Sequence, residues 1–224
     1  RLPIFSEKII YLDKSPICFD DSLIDLSKSF KKEDYGLPSE GFIFNCFNNN
    51  IKISPEVFKI WMEILHEVEN SYLWLYASNN LSKENLIKEA EDMKIPSSRL
   101  IFAEYLPLDQ HLKRHKAADL CLDTFNFSAG ATGVFALLSG IPIVTYFGKS
   151  FYSRMSSSLL KEFGLEELIT KSYLQYKELV IEIATSKSKH KSLKEKLENN
   201  LKSKKNIYSK LFTEELESKL IDLL

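Results

Sequence analysis

The chain has 224 residues, room for one large or two small domains, and its apolar (44%) and charged (27%) fractions are those of an ordinary soluble globular protein. A net charge of -1 excludes a polybasic nucleic-acid binder and an acidic tail protein, and no apolar run approaches the roughly 18 residues that span a bilayer. Cys18, Cys46 and Cys121 have no metal-ligand spacing, and two of them lie in apolar strand patterns where a thiol acts as a small hydrophobe, which fits a cytoplasmic location.

Residues 1–40 are the least domain-like part and read as a linker or the tail of a preceding domain. A short strand is expected over Ile9, Ile10, Tyr11 and Leu12, followed by a polar stretch and the turn Tyr35-Gly36-Leu37-Pro38. Leu23, Ile24 and Leu26 are the positions expected to anchor this segment to the main body. From Phe42 the pattern becomes regular. Residues 42–47 (Phe-Ile-Phe-Asn-Cys-Phe) predict a strand buried on both faces. The loop Asn48-Asn49-Asn50-Ile51-Lys52 leads to Ser54, a good N-cap, with Pro55 at the first helical position. The helix then runs to about residue 68, with Val57, Ile60, Trp61, Ile64 and Leu65 on one face.

The same beat repeats: strand 71–77, helix 81–93, a break at Pro96, strand 100–103, a turn at Pro107 and a helix over about 109–116. Residues 118–146 then give a buried strand (118–123), a loop (124–130), a helix (131–139) and a second strand (143–146). Helices over about 151–163, 172–184, 188–202 and 213–223 complete the chain. Strands alternating with helices predict an α/β fold whose parallel sheet is covered on both sides through right-handed crossovers. Leu193, Leu197 and Leu201 recur every four residues through a Lys-rich stretch, giving an apolar seam with a solvated basic face rather than a nucleic-acid patch.

The loop over 124–130 closes on Ser128, Ala129 and Gly130, followed by Ala131, small residues that let a ligand approach the backbone. The next helix points its N-terminal amides and the positive end of its dipole at this loop, which suits phosphate. An ordinary strand-loop-helix crossover without a ligand has the same local pattern. In an open parallel sheet, ligands sit at the carboxyl ends of the strands, where this loop lies. Lys52 is expected on the same sheet edge, either as a cation that neutralises a diphosphate or as a solvated lysine. Asn48, Asn49 and Asn50 offer amide donors and equally suit a plain turn. His111 and Arg114 share a helix face and can stack on and hydrogen-bond a nucleobase, or simply be solvated. Thr132 can reach a phosphate oxygen or cap locally, and Asp123 can cap, bind a ribose hydroxyl or face solvent. His111 and His115 have a metal-compatible spacing, but no third ligand is near in sequence, so no metal is expected. There is no nucleophile-base-acid set and no Walker A loop. The residues therefore describe a phosphate- or nucleotide-binding sheet without its own acid-base machinery.

From about residue 41 onward the chain resembles the C-terminal donor-binding half of protein O-linked N-acetylglucosamine transferases, including Spindly-type and bacterial tetratricopeptide-repeat glycosyltransferases. The resemblance rests on Phe47-Asn48-Asn49-Asn50-Ile51-Lys52-Ile53-Ser54-Pro55, Ser71-Tyr72-Leu73-Trp74-Leu75, Pro107 with His111, Ala118-Asp119-Leu120-Cys121-Leu122-Asp123-Thr124, Thr132-Gly133 and Gly140-Ile141-Pro142. It implies a Rossmann-like C-terminal domain of a GT-B glycosyltransferase over 41–224, with residues 1–40 as passage from an acceptor-side domain. It implies a nucleotide sugar as donor, UDP-N-acetylglucosamine, held without a metal, and transfer of the sugar to protein Ser or Thr. The protein acceptor would be engaged through an N-terminal region that this sequence lacks, and neither nucleic acid nor membrane is implied as a partner.

The resemblance gives Lys52 the role of stabilising the leaving diphosphate and places Asn49 near the phosphates. His111 and Arg114 fall near the uracil base, and the Gly130-Ala131-Thr132 turn falls on the phosphate-binding helix start. Four positions depart from the family pattern. Phe135 stands where the family places an acid on the donor ribose, Ala131 stands for a Thr, Ile51 for a Tyr and Leu108 for a basic or polar residue. These losses give the second reading, a degenerate non-catalytic copy kept as an interaction module.

Overall fold

The computed structural model describes residues 6, 9–13, 17–19, 31–203 and 208–222. Its centre is β1 (Phe42–Cys46), flanked by β2 (Ser71–Tyr76) on one side and β4 (Leu120–Leu122) on the other. With β3 (Leu100–Ala103), β5 (Ile143–Tyr146) and β6 (Ile169–Thr170) they form one sheet in the order β3-β2-β1-β4-β5-β6, parallel throughout. This is the doubly wound Rossmann order, and the α/β expectation holds.

The pleat of β1 sorts its side chains to two cores. Phe44 and Cys46 join the larger, while Ile43 and the following Phe47 join a smaller one with Trp74 and Leu37. Leu37 and Tyr35, from the segment before the sheet, pack on this second face, with Tyr35 5.7 Å from Trp74. A continuous apolar run is what a strand buried on both faces requires.

The helices follow the caps in the sequence. Ser54 accepts from the Val57 amide at 3.4 Å and opens α1 (Pro55–Glu67), whose Trp61, Ile64 and Leu65 are buried. After α2 (Asn80–Asp92), the turn at Pro107 leads into α3 (Leu108–His115). The central crossover is α4 (Ala131–Leu138), which Gly140 ends at a φ of 80°. Beyond β5 lie α5 (Met155–Glu162), α6 (Tyr173–Thr185), α7 (Lys187–Ser203) and α8 (Tyr208–Ile221). Leu193 and Leu197 of α7 are in the core, so the Lys-rich stretch is a docked amphipathic helix. A buried chain links three elements: Trp61 Nε1 donates to Tyr176 of α6 at 3.3 Å, and the Tyr176 hydroxyl donates to the Asp123 carbonyl at 3.3 Å.

Three expectations change. Residues 9–12 form no strand, and Ile9, Ile10 and Tyr11 are exposed, a run this short being too little to hold a strand without ladder partners. The two-residue β6 is an addition, too short to show a period of two. The last helix begins at Tyr208 rather than near residue 213. The expected anchors Leu23, Ile24 and Leu26 lie outside the described residues.

Candidate functional site

In this strand order the chain leaves β1 and β4 in opposite senses, so a crevice opens at their carboxyl ends. Two loops line it: Phe47 to Ser54 after β1, and Asp123 to Gly130 after β4. Lys52 and the small-residue loop are thereby brought together. Lys52 Nζ donates to the Ser128 carbonyl at 3.4 Å and sits 3.9 Å above the Phe127 ring. Burial lowers its pKa, opposed by the charge of Asp123. The ammonium is held at the mouth of the loop by one carbonyl and one ring face, with no carboxylate in direct contact among the described residues.

The loop itself is built on Asp123, which is buried. Its Oδ1 accepts from the Thr124 amide at 2.8 Å and the Ala129 amide at 2.7 Å, and its Oδ2 accepts from the Thr145 hydroxyl at 2.6 Å. Burial pushes the carboxyl up, opposed by hydrogen bonds from Thr145 and the two amides. Of the three roles open to Asp123 in the sequence, the structure shows the cap: the carboxylate is enclosed and taken up by donors of its own loop and of β5 rather than facing solvent. Ser128 and Ser156 finish the loop, the first donating to the Tyr152 carbonyl at 2.8 Å and the second to the Ala129 carbonyl at 2.9 Å.

The three asparagines after β1 have separate jobs. Asn48 is buried and ties the two loops together, its Nδ2 donating to Thr124 Oγ1 at 2.9 Å while its Oδ1 accepts from the Thr132 hydroxyl. Thr132 is therefore engaged across the crevice, not capping its own helix. Asn49 is exposed and its Oδ1 accepts from the Ile51 amide at 3.1 Å, shaping the turn that presents Lys52. Asn50 binds Ser78 and Ser82 and fixes the turn to α2. Gly130 is buried at the N-cap of α4, where no side chain caps the helix, and Ala131 is exposed beside it. The first amides of α4 thus open on the crevice that Lys52 overlooks.

Toward β2 and β3 the same edge carries a cavity of about 300 Å³ walled by Phe47, Tyr76, Tyr105, Leu106, His111 and Arg114. Arg114 is 3% exposed, lies 4.4 Å above the Phe47 ring and donates to the Glu104 carbonyl at 2.5 Å. His111 stacks among Phe47 (5.4 Å), His115 (4.8 Å) and Phe135 (5.7 Å). Sequence reading missed Phe127, Tyr76 and Tyr105. Each lies in a loop or at a strand end, where nothing in the local pattern marks a ligand role.

Burial, and then the nearby Arg114 charge, lowers the His111 pKa to about 4, and burial takes His115 well below the ordinary value. A lowered histidine pKa contributes stability that is complete above the ordinary value of 6.5 and is lost as pH falls toward the folded value. We expect the unfolding free energy to fall by about 2 kcal/mol between about pH 7 and pH 4.5, the figure being discounted for the partial exposure of His111. Urea titrations of wild type and His115→Phe check this, the variant showing the smaller fall.

Among the described residues no group of three or more His, Cys, Asp or Glu side chains is placed to hold a metal. No described helix is long and apolar enough to cross a membrane.

The model of glycosyl transferase family 41 matches residues 25–216. A probable UDP-N-acetylglucosamine–peptide N-acetylglucosaminyltransferase, SEC of Arabidopsis thaliana, is 30% identical over 203 residues, covering 87% of this chain and 20% of its own length. A probable enzyme of the same description, SPINDLY of Hordeum vulgare, is 29% identical over 186 residues, spanning 80% of this chain and again 20% of the relative. The solved structure of a mutant O-GlcNAc transferase from Thermobaculum terrenum superimposes with a TM-score of 0.77 at 30% identity, covering 81% of this chain and 36% of that one. S. aureus TarM, at 13% identity and a TM-score of 0.62, shares the fold. The chain thus spans about a fifth of the length of these two curated relatives.

Proposed function

The chain belongs to glycosyl transferase family 41, and on that footing we propose that it is the nucleotide-sugar-binding half of a GT-B protein O-glycosyltransferase. In this reading residues 41–224 bind the donor, UDP-N-acetylglucosamine, and the Ser/Thr acceptor side is supplied by a part of the protein outside this chain. The observation that carries it is the meeting of Lys52 with the uncapped start of α4 across the β1–β4 crevice. A diphosphate lying between them accepts hydrogen bonds from the α4 amides, and the lysine offsets the charge that grows on it as the sugar leaves. The cavity at His111 and Arg114 receives the base, beside α4, whose Phe135 packs on His111. Asn49 borders the phosphates, and no metal is needed where a cation and a helix dipole already face the anion.

Among the described residues of the crevice, Asp123 is engaged by loop donors and is no free general base for a hydroxyl acceptor, so the chain alone is expected to bind donor without transferring sugar. The test is an assay of labelled sugar transfer to Ser/Thr peptides. The whole protein should transfer and this chain should not. Transfer by the isolated chain, or hydroxyl-independent transfer by the whole protein, overturns the division of labour.

Phe135 gives a further prediction. It packs its ring edge on His111 instead of offering a carboxylate to the crevice. Phe135→Asp restores a charge-assisted hydrogen bond to a ribose hydroxyl and is expected to tighten uridine diphosphate binding about tenfold, from roughly 1.5 kcal/mol. Calorimetric titration checks it.

A further inference from the structure

Behind His111 lies a hydrogen-bonded row whose two inner members, Asn45 and His115, have no part in the proposed binding roles. Asn45, at the centre of β1, is buried, and its Nδ2 lies 3.3 Å from His115 Nδ1. His115, on α3, is 1% exposed, and its Nε2 lies 3.3 Å from His111 Nε2. We propose that Asn45 and His115 are positioning residues that lock His111 in one neutral tautomer, with its proton on Nδ1, so that the cavity offers a hydrogen-bond donor to the carbonyl edge of a nucleobase. This rests on the donor-binding reading for its ligand, but the lock itself does not.

The proton order follows from the donor inventory. An amide nitrogen only donates, so His115 Nδ1 must present its lone pair, and a neutral ring then carries its proton on Nε2. That N–H points at His111 Nε2, which must accept, leaving the His111 proton on Nδ1. A proton added to either ring breaks the row: a cationic His115 sets a donor against the Asn45 amide nitrogen, and a cationic His111 sets one against the proton on His115 Nε2. The surroundings hold both rings neutral. Arg114 on α3 is the charge near both, while β1 and the Phe135 turn of α4 present Asn45, Phe47 and Phe135, which carry none. The Asn45 oxygen has no hydrogen-bond partner among the described residues, and it is the amide nitrogen that faces His115. Phe47 and Phe135 hold the His111 ring from two sides, fixing the direction in which its free nitrogen faces.

An Nδ1–H donor at the base edge favours a ring carbonyl over an exocyclic amine, because the amine leaves a buried donor facing a donor. Uridine diphosphate is therefore expected to bind about tenfold more tightly than cytidine diphosphate.

The experiment is long-range proton–nitrogen correlation NMR of histidine-labelled, ligand-free chain, followed by titration with the two nucleotides. His111 should show a protonated Nδ1 and His115 a protonated Nε2, unchanged down to about pH 5. Asn45→Ala and His115→Phe should each leave His111 as averaged tautomers, and should bring the nucleotide ratio to about twofold or less. His115→Phe keeps an aromatic ring in the buried slot, so the test survives if Asn45→Ala does not fold. A proton on His111 Nε2, averaged tautomers in the wild type, or an unchanged nucleotide ratio in a folded variant overturns the lock. Correct tautomers with no binding of either nucleotide overturn the donor reading and leave the lock standing.

Discussion

Asp123→Ala is expected to destabilise the fold by about 3–5 kcal/mol, the largest effect of any single polar substitution near the crevice. Among the described residues the carboxylate is the one hydrogen-bond partner of the Thr145 hydroxyl as donor and of the amides of Thr124 and Ala129, all enclosed at the end of β4. Truncation leaves these donors without acceptors, at about 1–3 kcal/mol each, reduced by whatever relaxation the loop allows. Asp123→Asn separates charge from hydrogen bonding. It keeps an acceptor for the two amides, and its nitrogen can donate to the Thr145 hydroxyl, so its cost should be about 1 kcal/mol. The pH dependence runs opposite to that of a solvated salt bridge. A carboxyl raised by burial contributes stability that is complete below its unfolded value and lost as pH rises through the folded one. Wild type should therefore show a rise in this contribution on mild acidification that Asp123→Asn lacks. Urea unfolding of the three chains measures both effects.

Lys52→Ala is expected to reduce sugar transfer by the whole protein about 10²–10³-fold, the range found when one group facing a developing anion is removed from a closed site. The expectation comes from position. Lys52 is half-buried, desolvated and, among the described residues, held by the Ser128 carbonyl and the Phe127 ring, partners that do not neutralise it. A lysine that contributed only to folding would be paired with a carboxylate or would lie in solvent. The loss should fall mainly on kcat, because the leaving diphosphate carries more charge in the transition state than in the ground state. Stability should change little, since a partly exposed cation with no ion pair contributes little to folding. Lys52→Arg should recover part of the activity, as it keeps the charge but not the compact donor geometry.

The sheet was legible because its signals are local. Apolar runs such as residues 42–47, the Ser54-Pro55 start and the Gly140 stop each act within a few residues, and each holds. The juxtaposition of Lys52 with the Gly130 loop was legible too, because in a parallel sheet every loop that follows a strand lies on one edge. The polar wiring was not. Asn45 meets His115 across 70 positions and Asn48 meets Thr132 across 84, pairings that no periodicity encodes. Asn48 read as one of three similar turn residues until burial separated it from Asn49. His115 read as a metal-spacing partner of His111, and in the fold it is a hydrogen-bond partner instead. The two-residue β6 and the exposed stretch at residues 9–11 show the same limit from the other side: short strands exist or fail according to the edge that receives them.

The most direct test of the central claim is thermal unfolding of this chain with and without uridine diphosphate, for wild type and Lys52→Ala. At about 100 times its dissociation constant the ligand adds about 2.7 kcal/mol, which for a chain of this size raises Tm by about 5–10 °C. The account predicts that rise for wild type, and a much smaller one for Lys52→Ala at the same concentration, with the ligand-free Tm nearly unchanged. No shift in a folded wild-type sample with uridine or guanosine diphosphate, or equal shifts in the two chains, would contradict it. The fold would then stand as a family member that has kept its core, lost its donor site with the carboxylate absent at Phe135, and serves as an interaction module.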